Sequence, residues 1–462
     1  MATIVQNEQM RRLLKTVYLD GVYNAKYQNS PVLSAIKKES WGSGDTLKYA
    51  AQYGNGGNFG SRYGTLKSAM TEGVRNIEWE MTQGYLTGLF SINQPEMLTT
   101  AESRGAYMKA LSNKMAGCFD GLSKLLAMYL YGGKFGVIDT VVEAPAAAVA
   151  ASGNKMKLHS SGAIKMDVGL RFQIMSGSVP DASNLKSTVY TVSAIDDNEI
   201  TFSASVSGDT IAVGDTVVLY TAINNNGEAV GIEGLAEIIP AYADRKGADW
   251  ENYISSPFRG VKRDVAVNRL AGQFVKAEAT GDTRLSDALV SLLKKTKRAG
   301  GLNNMIIVND ETWDAIGAEL GIQRNLWQAT DGAASKQGAT FGINELATAF
   351  GDAFIGRTVI DPYCQEGYAY SLEKDDLTFY DLGNVSKVIN PVSNDQLGKH
   401  NIESVGDAGF GNTIDTKINV DKLFNVGFGN PGDYGEEVVV SANIFGNFGL
   451  KKTASAGVAV LG

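Results

Sequence analysis

The side chains able to do chemistry are few, and their spacing leads nowhere catalytic. Only two histidines occur, His159 and His400, and neither has a metal-type partner at ligand spacing. The two cysteines, Cys118 and Cys364, show no paired spacing and fit a reducing compartment, where they serve as small hydrophobes. The acidic pairs Asp196-Asp197 and Asp375-Asp376 fall at turn signals, where Asp bonds its own backbone. A Gly-x-Ser-x-Gly nucleophile elbow is absent. The glycine-rich run Gly54 to Gly60 would need Gly-Lys-Ser or Gly-Lys-Thr leading into a helix to cradle phosphate. A dinucleotide fingerprint would need a strand-turn-helix unit, and neither context is present. Tyr53, Phe59, Arg62 and Tyr63 form a basic-aromatic group around that run, but one arginine does not make a groove for nucleic acid, so they are read as contact residues. The expectation is a protein without catalytic residues, metal or cofactor.

The elements that carry these residues are unusually long. Apolar residues recur at Met108, Leu111, Met115, Cys118, Phe119, Leu122, Leu125, Leu126 and Tyr129, the spacing of one helix from about Thr99 to Tyr131, with Gly132-Gly133 as its stop. At about 1.5 Å per residue such a rod spans roughly 45 to 50 Å, longer than a compact domain usually contains. Before it, Leu47 and Tyr49, then Ile77, Trp79 and Met81, alternate with polar residues as in a half-buried two-stranded ribbon whose tip is the glycine run. Lone ribbons and rods bury themselves poorly, which implies burial against other copies of the chain. Residues 1 to 40 read as helical, with Met10, Leu13, Leu14, Val17 and Tyr18 on one side. They carry six basic residues, among them Arg11 and Arg12, against three acidic ones, a net charge of +3 in an acidic chain. Such an arm touches nucleic acid or an acidic partner, or is an ordinary solvated helix face.

The chain has 462 residues, a formal net charge of −8 and 53 glycines. The charge argues against broad binding to nucleic acid phosphates, and the glycine content suggests many tight turns and extended loops, without the period of collagen. No apolar run approaches eighteen residues and the opening Met-Ala-Thr-Ile-Val-Gln has no signal-peptide pattern, so neither a membrane span nor signal-directed secretion is expected. A small-residue linker, Glu143 to Gly153, reads as a boundary. Beyond it, short strands are expected at Ile164 to Ile174, Val189 to Ile195, Ile200 to Ala204 and Val213 to Ala222, making a small barrel or sandwich set into a host domain. From Gly231 the host continues as α+β. A helix from Asp282 to Arg298, a buried strand at Met305 to Val308 and a helix capped by Asn309 come first; strands follow at Phe354 to Ile360, Tyr368 to Leu372, Leu377 to Tyr380, Val438 to Phe445 and Val458 to Leu461.

This order of parts resembles the major capsid proteins of tailed double-stranded DNA bacteriophages, the Hong Kong 97-type fold. The glycine-tipped ribbon, the helix Thr99 to Tyr131, the phrase Arg284 to Trp313 with Asn303-Asn304-Met305-Ile306-Ile307-Val308-Asn309, and the closing Asn443 to Leu450 carry the resemblance. It implies an N-terminal arm at 1–40, an extended hairpin loop at 41–92, a spine helix at 93–134, an inserted β-rich domain at 135–228, an axial α+β domain at 229–390 and C-terminal strands at 391–462. It also implies a subunit that assembles into pentamers and hexamers of an icosahedral shell around a double-stranded DNA genome, made in the host cytoplasm and located in the virion capsid. Its partners would be further copies of itself, a portal, separate scaffolding or decoration proteins and non-specifically contacted DNA, with no membrane. Arg11, Arg12, Tyr53, Phe59, Arg62, Tyr63 and Trp79 become candidate inter-subunit contacts. Some relatives cross-link a hairpin lysine to a neighbour's asparagine; Lys48 and Lys67 lie in the ribbon, but nothing identifies a partner. An encapsulin-type compartment shares the fold, and a β-rich carbohydrate-binding or adhesin protein is the reading from another class.

Overall fold

The computed structural model describes residues 30–41, 46–54, 61, 75–93, 104–146, 148–224, 229–277, 285–302, 304–319, 357–381, 425–428 and 437–461. They divide into a larger compact unit, drawn from Ser30–Gly84, Ala127–Tyr380 and Gly446–Gly462, and a smaller one whose described residues fall in Tyr85–Leu126 and Asp381–Phe445.

In the larger unit the N-terminal segment differs from the helix expected through residue 40. A single turn, α1 (Pro31–Ala35), starts with Pro at its first position and Ser30 as cap, the Leu33 amide donating to Ser30 Oγ at 3.3 Å. The chain then turns extended into β1 (Lys37–Ser40), because Val32, Ile36 and Trp41 are all buried and a continued helix would not present them together. The helical reading of residues 1 to 29 lies outside the described residues. The ribbon is present as β2 (Thr46–Gly54) and β3 (Arg75–Thr82), antiparallel, with Leu47 opposite Met81, Tyr49 opposite Trp79 and Ala51 opposite Ile77. This is the register that the alternation requires, since a slip of one residue would turn the apolar set to the other face. Its glycine tip lies outside the described residues.

Residues 137 to 219 form a six-stranded antiparallel sheet: β5 (Val137–Thr140), β6 (Asn154–Lys157), β7 (Arg171–Met175), β8 (Tyr190–Asp196), β9 (Glu199–Ala204) and β10 (Thr216–Leu219), in the order β5-β10-β7-β8-β9-β6. The two ends meet. Glu143, just past β5, bridges Lys157 at the end of β6, with Lys157 N donating to Glu143 O at 2.9 Å and Val142 N to Lys157 O at 2.9 Å, so the sheet curls into a barrel whose two end strands are joined at this corner. Phe172, Tyr190 and Phe202 fill it, all fully buried, with ring centroids 5.3 to 5.7 Å apart. Two expectations are corrected. The segment expected as a strand from Ile164 begins inside a short helix, α3 (Ser160–Lys165), and becomes extended only at Arg171. The cause is Asp139, whose carboxylate holds the His159 amide at 2.7 Å and sits so close to Gly162 that a Cβ there would lie 2.2 Å from Oδ2. The small-residue stretch 143–153 is not a boundary either: it is the β5–β6 connection within the barrel.

The rest of the unit is a mixed five-stranded sheet with two helices. Its strands are β11 (Gln273–Lys276), β12 (Met305–Val308), β13 (Arg357–Ile360), β14 (Tyr368–Leu372) and β18 (Gly457–Val460), in the order β11-β18-β14-β12-β13. Pairing is parallel at both edges and antiparallel in the middle. One core joins the helix α7 (Leu285–Arg298), through Ala288, Leu289, Leu292 and Leu293, and the helix α8 (Asp310–Glu319), through Trp313 and Ile316, to Ile306, Val308 and Ala459 of the sheet. Asn309 caps α8 as expected, its Oδ1 accepting from the Glu311 amide at 2.9 Å. Between barrel and sheet run α4 (Leu235–Ile238), α5 (Gly247–Ser255) and α6 (Val267–Leu270). Strand β15 (Leu377–Asp381) lies between β1 and the last residues of β17 (Glu437–Leu450).

In the smaller unit, β17 also pairs antiparallel with β16 (Asn425–Phe428), Asn425 opposite Asn443, and β4 (Gly84–Asn93) pairs with β17. The long helix is α2 (Arg104–Gly132), 29 residues, of which those up to Leu126 belong to this unit and the last turns to the larger one. Gly88 of β4 lies against it so closely that a Cβ would stand 2.7 Å from Cys118 Sγ and 3.1 Å from Leu122, which explains a glycine in mid-strand.

Candidate functional site

The polar groups of the larger unit converge where the ribbon meets the body. Trp79 and Met81 of β3 face inward; the Trp79 ring stacks on Tyr49 at 6.5 Å and meets Phe258 edge-on at 6.0 Å. Beneath them lies Arg259, whose side chain is 1 % exposed. Its Nε donates to Glu233 Oε2 at 2.7 Å, Nη1 to Tyr49 Oη at 3.1 Å and Nη2 to the Phe448 carbonyl at 2.5 Å, while its own carbonyl accepts the Glu80 amide at 3.0 Å. Asn447 completes the group: Oδ1 accepts from the Glu233 amide at 2.9 Å and Nδ2 donates to the Thr82 carbonyl at 3.0 Å. Three remote stretches, the ribbon, residues 233–259 and the end of β17, are thus fastened by one arginine and one asparagine. Burial alone would lower the Arg259 pKa, but the Glu233 carboxylate and Tyr49 outweigh it, and the guanidinium stays firmly charged. A positive φ of 51° at Arg259 and a glycine after it at φ 80° make the tight turn that aims the side chain inward.

A second convergence joins the barrel to the body. The Gly231 amide donates to the Lys134 carbonyl at 3.2 Å, so the chain leaves the barrel beside the point where it arrived. His159 Nδ1 lies 3.0 Å from Asp139 Oδ1, and this contact, ahead of the opposing effect of burial, raises the His159 pKa. Lys165, fully buried, donates to the Ile138 carbonyl at 3.0 Å and has its pKa lowered by desolvation. On the body, the buried Asp361 accepts from Tyr131 Oη at 2.9 Å, from the Tyr363 amide at 3.0 Å and from Ser30 Oγ, tying the N-terminal segment to the end of α2.

The candidates named from sequence fare unevenly. Arg11, Arg12, Phe59, Arg62 and Tyr63 lie outside the described residues, as do His400 and Lys67. Tyr53 is half-buried near the end of β2, its carbonyl accepting from Arg269. Trp79, read as a contact for another subunit, is 2 % exposed within its own chain, its ring enclosed by Tyr49 and Phe258. Asp197 occupies a turn at φ 52°, as its turn reading requires, and Asp376 is buried facing Lys452. Lys48 is paired with Glu80 across the ribbon. Cys118 and Cys364 are free thiols whose pKa values are pushed up by burial. Among the described residues no three His, Cys, Asp or Glu side chains come together as a metal site would need, and no helix is long and apolar enough to cross a membrane. Sequence reasoning missed Arg259, Glu233 and Asn447. Their only local signals are the glycines that flank them, Gly231, Gly234, Gly260, Gly446 and Gly449.

No family model matches the sequence, and no curated protein does. Solved structures do. The chain is similar to a subunit of the cyanophage A-1(L) capsid asymmetric unit at 13 % identity, over 98 % of this chain and 99 % of that one, with a TM-score of 0.53. Further similarities are to Mycobacterium phage Bobi, at 10 % identity over 98 % and 97 % of the two chains with a TM-score of 0.41, and to the capsid of an empty GTA particle, at 9 % identity over 98 % and 96 % with a TM-score of 0.41. The fold is that of a phage capsid protein.

Proposed function

We propose that the chain is the structural subunit of a phage capsid shell and that it works by assembly, not by turnover. The observation that carries this is the end-to-end likeness to the cyanophage capsid subunit, which covers nearly all of both chains. In this reading copies join by heterologous contacts into pentamers and hexamers, the same surfaces meeting at slightly different angles close an icosahedral shell, and double-stranded DNA is held inside without sequence recognition. Separate scaffolding or decoration proteins and a portal are its partners, and the virion capsid is its location. The arrangement is read as Hong Kong 97-type, with β2 and β3 as the base of the extended loop and α2 as the spine helix. The barrel is read as an insertion, supported by its closure on itself and by the adjacent Lys134 and Gly231 connections. Arg11, Arg12, Tyr53, Phe59, Arg62 and Tyr63 remain the proposed contacts between subunits; the ribbon base, through Trp79 and Arg259, serves instead to hold the loop to its own body.

Sedimentation velocity and negative-stain microscopy test this on the chain expressed alone and together with the structural genes adjacent to its own. Rings of five or six 49.2 kDa chains, or closed shells, are expected. A chain that remains single under both conditions refutes the proposal, and binding of a discrete glycan by such a monomer would favour the adhesin reading.

A further inference from the structure

Glu237 is a carboxylic acid in a place built against carboxylates. It lies on α4, 3 % exposed, with Oε2 lacking any hydrogen-bond partner. Its side chain is pressed onto the last turn of α2: a Cβ on Gly133, which ends that helix at φ 65°, would stand 2.8 Å from the Glu237 carboxyl carbon. Next to it, Gly234 approaches the Tyr129 and Leu130 carbonyls so nearly that a Cβ would lie 2.1 and 2.5 Å from them. The carboxyl therefore faces the C-terminal, negative end of the long helix, where carbonyls outnumber donors and an anion is disfavoured. The charged and titratable groups around it do not relieve this. The Lys134 amide bonds it and the Lys134 ammonium acts from a distance. Glu233 repels it, and the Arg259 charge is already bound to Glu233. Arg263 donates Nη1 to the Glu237 main-chain carbonyl at 2.7 Å, while its buried Nε has no partner. The phenols of Tyr242 and Tyr253 complete the surroundings.

We propose that Glu237 is a proton-operated latch on the junction where α2 ends and both connections of the barrel meet: protonated it is a neutral group in a buried place and the junction is closed, ionised it is a buried charge beside Glu233 and the end of α2 and the junction loosens. Burial, ahead of the repulsion from Glu233, pushes its pKa from 4.5 up to about 7. For an acid whose folded-state pKa is raised, stability is highest below the unfolded value and falls as pH rises towards the folded one, with no further loss above it. The inference needs only these contacts and does not rest on the shell reading.

Hydrogen exchange followed by mass spectrometry on the full-length chain between pH 5 and pH 8.5, corrected for the intrinsic rate, tests it. Peptides covering 129–134 and 229–238 are expected to lose protection by up to about tenfold per pH unit between pH 5 and 7 and then level off, while the barrel strands β7 and β9 keep theirs. Glu237→Gln is expected to abolish the slope, and Glu237→Leu serves should the amide variant fail to fold. A slope that survives in either neutral variant overturns the proposal, as does an unmodified chain whose junction and barrel peptides respond alike across the range.

Discussion

Arg259→Ala should be among the most damaging single substitutions in the larger unit. The guanidinium is sealed from water at 1 % exposure, and its partner Glu233 is 14 % exposed, so screening is slight. Removing one member of a buried ion pair costs about 3 to 5 kcal/mol, because the other charge is left without compensation. The Phe448 carbonyl, 2.5 Å from Nη2, loses its donor as well, at about 1 to 3 kcal/mol. These losses overlap, since all pass through one side chain, and a total of about 4 to 5 kcal/mol follows. Alanine keeps the strained φ of 51° and recovers nothing there. Denaturant unfolding of unassembled subunits, followed by tryptophan fluorescence, gives the loss; hydrogen exchange should show β2 and β3 deprotected before the barrel. Arg259→Lys keeps the charge but not the three-way fork and should fall between wild type and alanine. Pairing Arg259→Ala with Glu233→Gln supplies the coupling energy, and the double variant should be far less damaged than the sum of the two. A loss below about 1 kcal/mol for Arg259→Ala, or strict additivity with Glu233→Gln, would refute the reasoning.

Phe172→Ala should cost about 3 to 5 kcal/mol by emptying the barrel centre between Tyr190 and Phe202, and limited proteolysis should then cut within 137–219 first. Gly234→Ala places a Cβ 2.1 Å from the Tyr129 carbonyl, so α4 must move off the end of α2 at a cost of about 3 kcal/mol or more, read as a lowered denaturant midpoint. His159, whose pKa is raised chiefly by its contact with Asp139, should contribute stability in full below its ordinary 6.5 and lose it as pH rises through the raised value. His159→Gln should flatten that part of the stability–pH curve, and an unchanged curve would assign the effect elsewhere.

How far the sequence discloses this fold depends on how local the physics of each part is. The ribbon register could be read because alternation ties Leu47, Tyr49 and Ala51 to Met81, Trp79 and Ile77, with one face buried at the base. The α7–β12–α8 phrase was legible for a similar reason, since Leu289, Leu292 and Leu293 mark a helix face and Asn309 marks the next start. The barrel was half legible. Its longer strands show in the pattern, but β5 is four residues wedged between the stop of α2 and a run of alanines, and nothing near it announces that it closes the sheet. The turn at Ser160 was missed because Asp139, twenty residues back, imposes it.

The fastening of the ribbon was illegible for a deeper reason. Arg259 reaches Tyr49 across 210 positions and Phe448 across 189, and Asn447 reaches Thr82 across 365. None of these pairs has a spacing rule, because the contacts exist only after the sheet, the barrel connections and the turn at Arg259 are in place. A catalytic motif is legible when chemistry demands fixed residue types at short intervals; a protein whose proposed work is to hold a shape distributes the demand over single residues far apart. The same logic bears on Trp79, whose burial within its own chain differs from its reading as a contact. Trp79 stood out as a large aromatic on a ribbon that could not bury itself, and the inference that something must cover it was sound. The cover is Phe258 and the Arg259 turn of its own chain.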